Sequence, residues 1–250
     1  MTDQRPPGRV IVVMPARNAA RTLERTVSAI PREWVDEIIL VADGSTDETV
    51  TLARRLPLHV IWHPHSVGYG GNQKTCYLEA LQRDADAVVM LHPDGQYEPT
   101  LIPKLVAPIL RGETDLVLGS RLAEPGAARE GGMPLHKYLA NRGLTAIENR
   151  VLRTRLSEAH TGYRAYSRAL LLDIPFLRNS LDFVFDSEVL AQAVHFGHRI
   201  AEVPARTRYS DDASSITLGP ASVYALKTLW TMLRLALHRR GLLRSRKFAR

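Results

Sequence analysis

Glu37-Ile38-Ile39-Leu40-Val41-Ala42-Asp43-Gly44-Ser45-Thr46-Asp47-Glu48 is the stretch on which the fold turns. Glu37 to Val41 has the apolar character of a strand, and Thr46 to Leu56 reads as a helix. Between them Ser45 is placed to cap the helix. Glu48 puts an acid in its first turn, where the helix dipole favours negative charge. Asp43 closes the strand, where a carboxylate can accept hydrogen bonds from a nucleobase or a ribose. A well-capped strand-to-helix turn has the same pattern, so the motif alone admits both readings.

The same rhythm runs outward. Val10 to Met14, His59 to Trp62, Ala87 to Leu91 and Asp115 to Gly119 read as strands. Arg21 to Ile30, Asn72 to Arg83 and Thr100 to Leu110 read as helices between them. Short strands apolar on both faces, separated by helices, predict an α/β fold with a mainly parallel central sheet in an αβα sandwich. Ligands of such sheets bind beyond the carboxyl ends of the strands. Three unusual loops fall there: Pro15-Ala16-Arg17-Asn18, Ala42-Asp43-Gly44-Ser45 and His92-Pro93-Asp94-Gly95-Gln96.

Beyond Arg121 the pattern changes. Leu122 to Pro134 is rich in Gly and Ala and reads as a loop, Leu135 to Leu152 as a long helix, and His160 to Ser167 as extended. Asp186 to Phe196 reads as a helix stopped by Gly197, and Ile200 to Tyr209 as strand-like. No internal repeat and no clean linker appear. The expected organisation is a single domain over 1–219, with halves at 8–121 and 122–219, followed by an amphipathic helix and basic tail over 220–250.

The 250 residues carry 45% hydrophobic and 24% charged side chains, the balance of a globular protein with a sizeable core. A formal net charge of +7 favours anionic partners: nucleic acid, an anionic membrane surface or a phosphorylated substrate. No nucleic-acid-binding module is recognisable, so nucleic acid is not an expected partner. The single Cys76 excludes an intramolecular disulfide and fits a reducing cytosol. Met1 to Arg9 has no signal-peptide pattern, and no apolar run approaches the ~20 residues needed to span a bilayer. The expected location is cytoplasmic, with any membrane contact peripheral and on the inner face.

In the loop after the fourth strand, Asp94 and Gln96 are two apart and share a face if extended. Both offer hard oxygen ligands for Mg²⁺ or Mn²⁺ and leave positions open for a diphosphate. His92 could add a nitrogen ligand, which tilts the preference towards Mn²⁺. A plain Pro-Asp-Gly turn is the alternative. Gly68-Tyr69-Gly70-Gly71 precedes the helix near Asn72, where backbone N–H groups could face an anion and Lys74 could reach a phosphate. It lacks the P-loop ending and the Rossmann dinucleotide spacing.

Taken in order, these motifs resemble the family 2 glycosyltransferases of GT-A fold, and in look the polyprenyl-phosphate sugar transferases of the dolichol-phosphate mannosyltransferase type. The matching series is Val12-Val13-Met14-Pro15-Ala16-Arg17-Asn18, Ala42-Asp43-Gly44-Ser45-Thr46-Asp47, Gly70-Gly71-Asn72, Asp94-Gly95-Gln96 and Leu118-Gly119-Ser120-Arg121. Thr161-Gly162-Tyr163-Arg164-Ala165-Tyr166 and Glu202-Val203-Pro204 continue it. The resemblance implies a nucleotide-sugar-binding first half and an acceptor-binding second half. By it, Pro15, Ala16, Arg17 and Asp43 line the nucleoside pocket, and Gly71 and Lys74 flank the nucleotide. Asp94 binds the metal and diphosphate, Gln96 is a further ligand, and Arg121 binds a phosphate. It also implies an inverting mechanism. The chain departs from the family in Arg17-Asn18-Ala19, where Tyr-Asn-Glu is usual, and in Ala42 before Asp43. His92 stands in place of the first acid of Asp-x-Asp.

The expected reaction is transfer from a nucleoside-diphosphate sugar to an acceptor, first a polyprenyl phosphate oriented by Arg121, Arg164 and Arg208. A soluble hydroxyl acceptor is the alternative, and it needs a base, for which Asp186 is the first choice over Glu188. A sugar-1-phosphate nucleotidylyltransferase is disfavoured because Pro15-Ala16-Arg17-Asn18 has no glycine. A non-catalytic sugar-nucleotide-binding scaffold stays open because the Asp-x-Asp is altered. Val223 to His238 reads as an amphipathic helix with Leu226, Leu229, Trp230, Leu233 and Leu237 on one face. With the basic tail after it, residues 223–250 suit a membrane interface or a helix packed on the core.

Overall fold

The computed structural model describes residues 5–207 and 218–250. The chain runs through β1 (Val10–Ala16), α1 (Leu23–Ser28), β2 (Glu37–Asp43), α2 (Thr49–Ala53), β3 (His59–His63), α3 (Tyr69–Gln82), β4 (Ala87–Met90), α4 (Ile102–Leu110) and β5 (Leu116–Ser120). It continues through α5 (Ala127–Glu130), α6 (Leu135–Leu152), β6 (Arg164–Ser167), α7 (Arg168–Asp173), α8 (Phe185–His195), β7 (Ile200–Pro204) and α9 (Leu218–Arg239). α5 forms inside the stretch read as a loop. α7 was not expected; Ser167 caps it by accepting from the Leu170 N–H at 3.1 Å.

The strands make one sheet in the order β3-β2-β1-β4-β6-β5-β7. β1 pairs in parallel with β2 and β4, β2 with β3, and β5 with β7. β6 lies antiparallel between β4 and β5, so strands from both sides of residue 121 share the sheet. Along β1, Val10, Val12 and Met14 enter one core cluster while Ile11 and Val13 enter the other. This alternation is the period-two geometry of a strand, and both of its faces are covered. One face packs on Leu23 and Val27 of α1 and Leu105 and Val106 of α4. The other packs on Tyr77 of α3, Val189 and Leu190 of α8 and Leu235 of α9. Each fully buried aliphatic side chain of this kind contributes roughly 1.5–3 kcal/mol, which makes the sheet the rigid frame for the loops at its edge.

α9 packs against α6 and α8 with Thr228, Thr231, Met232 and Leu235, all buried. Val223, Leu226, Leu229, Trp230 and Leu233 face outward, with Leu226 67% and Trp230 54% exposed. The helix therefore does lie on the core, but its more apolar row is turned away from it. The tail folds back. Phe248 is buried, Lys247 pairs with Glu188, and Arg178 donates to the carbonyl oxygens of Arg246 and Ala249, each at 2.7 Å. No helix among the described residues is long and apolar enough to cross a membrane.

Candidate active site

β1, β2 and β4 are parallel and deliver their loops to one edge of the sheet. Asn18, at φ +52°, joins two of these loops: its N–H donates to Ser45 Oγ at 3.1 Å and its Oδ1 accepts from the Thr46 N–H at 2.8 Å. Ser45 is thus spent on the neighbouring loop rather than on a helix cap. Asp47 takes over near α2, accepting from the Thr49 and Ala20 N–H groups, each at 3.1 Å. Burial opposes ionisation of Asp47, but the bonds from Thr49 and Ala20 hold it below the usual carboxylate range. Asp43 is buried and accepts from Ser66 Oγ at 2.6 Å and the Val67 N–H at 2.8 Å. A cavity of about 550 Å³ lies over these loops, lined by Pro15, Ala16, Arg17, Asp43, Asn72 and Asp94 among others.

A second cavity of about 510 Å³ adjoins the first. Asp94, Gln96, Arg121, His160 and Asp186 give it polar groups, and Leu144, Ile147, Ala221 and Ala225 give it apolar walls. Tyr69, His92, Asp94 and Phe183 line both cavities and mark their junction.

The glycine turn builds that junction. Gly68 takes φ +84°, which a side chain rarely adopts, and a Cβ on Gly70 would collide with the Ser180 carbonyl oxygen. The Gly70 N–H donates to the Leu181 carbonyl at 2.8 Å, so it is used for packing rather than offered to a phosphate. The turn sets the Tyr69 ring 4.5 Å from Phe183 and 5.7 Å from His92. Tyr69 Oη donates to Asp186 Oδ2 at 2.7 Å and lies 3.3 Å from His92 Nε2. A phenol has one hydrogen, so His92 Nε2 is the donor towards Tyr69. Asp186 Oδ1 accepts from Gln73 Nε2 at 3.1 Å. Burial, reinforced by the Asp186 charge, pushes the Tyr69 hydroxyl well above its usual range and keeps it protonated.

In the loop after β4, the Gln96 N–H donates to Asp94 Oδ1 at 3.0 Å, and Gly95 turns the chain at φ +73°. Among the described residues no group of three His, Cys, Asp or Glu side chains could hold a metal by itself. Asp94, Gln96 and His92 form an incomplete, mainly oxygen donor set, which suits a hard cation that also takes diphosphate oxygens.

Arg121 arrives already paired. Its N–H and Nε donate to the fully buried Glu158 at 2.7 and 2.8 Å, and its Nη2 donates to the His160 carbonyl at 3.1 Å. Burial pushes the Glu158 carboxyl up, but the Arg121 charge and hydrogen bonds hold it below its usual value.

Other expected residues are placed elsewhere. Arg164 is fully buried and donates to the backbone oxygens of Thr161, Asp186 and Ala159 at 2.8–3.0 Å, so it braces the fold under the site instead of facing a phosphate. Lys74 donates to the Asn179 carbonyl. Gly71 packs against Val67, while Gly68 and Asn72 line the first cavity. Arg208 lies outside the described residues. Tyr69, Gln73, Glu158, Glu148, His160 and Tyr224 were not anticipated. Tyr69, inside Gly68-Tyr69-Gly70-Gly71, and His160, beside Thr161-Gly162-Tyr163-Arg164, carried a signal by their place in or next to a motif.

A mostly parallel sheet flanked by helices, with two joined cavities at the carboxyl ends of its strands, defines a nucleotide-dependent transferase of the GT-A type. The chain belongs to the family described as glycosyl transferase family 2, whose profile matches residues 11–174. It is 27% identical to the UDP-N-acetylglucosamine–dolichyl-phosphate N-acetylglucosaminyltransferase of Methanococcus voltae, over 81% of this chain and 86% of that one. It is 27% identical to the undecaprenyl-phosphate mannosyltransferase of Micrococcus luteus, over 78% of this chain and 82% of that one. Among solved structures it shares its fold with the glucosyl-3-phosphoglycerate synthase of Mycobacterium tuberculosis, solved with Mn²⁺, UDP and glucosyl-3-phosphoglycerate. That match has a TM-score of 0.68, 23% identity, and covers 95% of this chain and 82% of that one. The chain is therefore a nucleotide-sugar-dependent glycosyltransferase.

Proposed function

We propose that the protein transfers a glycosyl group from a nucleoside-diphosphate sugar in the 550 Å³ cavity to a hydroxyl of an acceptor in the 510 Å³ cavity. The observation that carries this reading is the junction, where Asp94 and His92 line both cavities. Pro15, Ala16, Arg17 and Asp43 hold the nucleoside. Asp94, with Gln96 and His92, holds Mg²⁺ or Mn²⁺ against the diphosphate. A cation held there would supply positive charge to stabilise the leaving diphosphate; inversion is the course the family resemblance implies. The Mn²⁺ and UDP of the Mycobacterium tuberculosis structure support this donor arrangement.

The hydroxyl reading is favoured by charge. Asp186 lines the acceptor cavity beside the metal-holding Asp94, Lys137 stands in its wall, and Arg121 is already paired with Glu158. A neutral hydroxyl suits that setting better than a second phosphate. A second reading, a polyprenyl-phosphate acceptor met at a membrane surface through residues 223–250, draws on different observations. The walls Leu144, Ile147, Ala221 and Ala225 are apolar, α9 turns Leu226 and Trp230 outward, and two relatives are named for lipid phosphates.

Calorimetry with UDP- and GDP-sugars, with and without Mn²⁺, followed by UDP or GDP release in the presence of n-decyl glucoside or n-decyl phosphate, tests both. Metal-dependent donor binding is expected, with turnover on the glucoside. Binding of no donor would sink the glycosyltransferase assignment of these cavities, and turnover on the phosphate alone would transfer support to the second reading.

A further inference from the structure

Glu148 on α6 is a carboxylate beside His160, which lines the acceptor cavity, and its side chain is 1% exposed. Neither of its oxygens has a hydrogen-bond donor among the described residues. Its charge-matched neighbour is His160, whose Nε2 stands 2.9 Å from Glu148 Oε2 but off the N–H line. A buried carboxylate without donors is costly, and the imidazole of His160 is placed to carry a hydrogen towards it.

The other nitrogen of that ring is also engaged. His160 Nδ1 lies 2.6 Å from Tyr224 Oη on α9, with the two rings edge-on at 82°. The nitrogen that faces a carboxylate carries the hydrogen of a neutral imidazole, so Nδ1 accepts and Tyr224 donates. Ser187 Oγ lies 3.1 Å from Tyr224 Oη and can donate to it. Burial, together with the Glu148 charge, pushes the Tyr224 hydroxyl above its usual range, so it keeps its hydrogen in the resting enzyme. The His160 carbonyl is clamped by Arg121, and both His160 and Tyr224 line the cavity that holds Asp94.

We propose that Glu148, His160 and Tyr224 form a proton-accepting relay for a hydroxyl acceptor; this rests on the glycosyltransferase reading and specifies its acceptor class. As the acceptor oxygen bonds to the anomeric carbon, the bond from that carbon to the diphosphate oxygen breaks and its electron pair leaves with the diphosphate. The acceptor proton passes to Tyr224 Oη, and the phenolic hydrogen passes to His160 Nδ1. Glu148 then faces an imidazolium, which returns its proton to water after product release. Carboxylate behind imidazole behind hydroxyl is the order of groups in hydrolase triads, with the phenol here conducting a proton instead of attacking.

His160→Asn, Glu148→Gln and Tyr224→Phe should each lower kcat about 100-fold on n-decyl glucoside and in slow donor hydrolysis, the usual scale for a lost proton acceptor. Donor affinity by calorimetry should stay within twofold. Retained kcat, or a loss of donor binding to match the loss of kcat, overturns the relay. Wild-type protein that binds no donor instead removes the glycosyltransferase reading beneath it. A readout free of turnover is the ¹⁵N spectrum of histidine-labelled wild-type protein, with His160 assigned by its absence in His160→Asn. The relay requires hydrogen on Nε2 and a bare Nδ1. Hydrogen on Nδ1 of the neutral ring overturns it whatever the activity.

Discussion

Tyr69 and Asp186, 117 residues apart in the chain, meet through a 2.7 Å hydrogen bond where the two cavities join. The bond ties the first residue of α3 to the start of α8, and through His92 Nε2 at 3.3 Å it reaches the loop proposed to hold the metal. Tyr69→Phe keeps the ring against Phe183 and removes only the hydroxyl. It should cost about 1–3 kcal/mol of stability, the scale for stranding a buried charged acceptor. Turnover should fall about tenfold, since one bond that orients the junction is lost. Urea unfolding and steady-state kinetics read the two effects, and a variant matching wild type in both would show that the bond is idle.

Asp94→Ala should lower metal-dependent turnover at least ~100-fold, as for loss of a main electrostatic group in a reacting site. Gln96→Ala should do less, about tenfold. Circular dichroism of Asp94→Ala should match wild type, because the loop hangs from a buried strand. Titration with Mn²⁺ in the presence of UDP, followed by EPR, checks the cause. Unchanged Mn²⁺ affinity in Asp94→Ala would remove it as the ligand.

Arg121→Gln bears on stability and on pH. Glu158 is buried and its folded pKa is depressed by Arg121, so the stability it supplies is fully present above its unfolded value and is lost as pH falls through the folded one. Without the guanidinium, the residue-121 N–H and the Asn141 amide are left to oppose the burial, and that carboxyl rises. The variant should be less stable by about 3–5 kcal/mol at neutral pH, the scale for leaving a buried charge unpaired. Its acid-unfolding midpoint should move to higher pH. Unfolding followed from pH 7 to pH 3 reads both, and an unmoved midpoint counts against the pairing.

Much of this was legible beforehand because the signals are local. β1 and β4 are apolar at every position, and β2 is apolar from Ile38 to Ala42, a pattern that belongs to a sheet covered on both faces; the motif loops follow their carboxyl ends. The direction of β6 was not legible, because an antiparallel insertion between β4 and β5 is decided by partners far along the chain. α7 was missed because Arg168 to Asp173 follows β6 with no Gly or Pro to mark a boundary. Charged residues misled most. Arg164 and Lys74 look alike in sequence whether they meet a phosphate or, as here, backbone carbonyls. Helical spacing showed that α9 is amphipathic but not which side is buried; Thr231 goes inward because its hydroxyl donates to the Lys227 carbonyl at 3.0 Å.

The outward row of α9 gives a test of membrane contact. Leu226→Glu with Leu233→Glu alters side chains that face away from the core, so the melting temperature should change little. Flotation with anionic vesicles should be lost in the double variant if wild type floats. Flotation of both to the same extent would locate any lipid contact elsewhere.

The sheet order sets a schedule for synthesis. β4, apolar along its whole length, has β1 on one side from the start, but its other neighbour, β6, is made some seventy residues later, and β5 must wait for both β6 and β7. Until then the nascent chain shows a bare, greasy ladder edge at Ala87–Met90. Such an edge recruits other chains. A ribosome stalled between β5 and β6 should therefore hold a chain that needs a chaperone, although the motif loops proposed to bind nucleotide have already emerged.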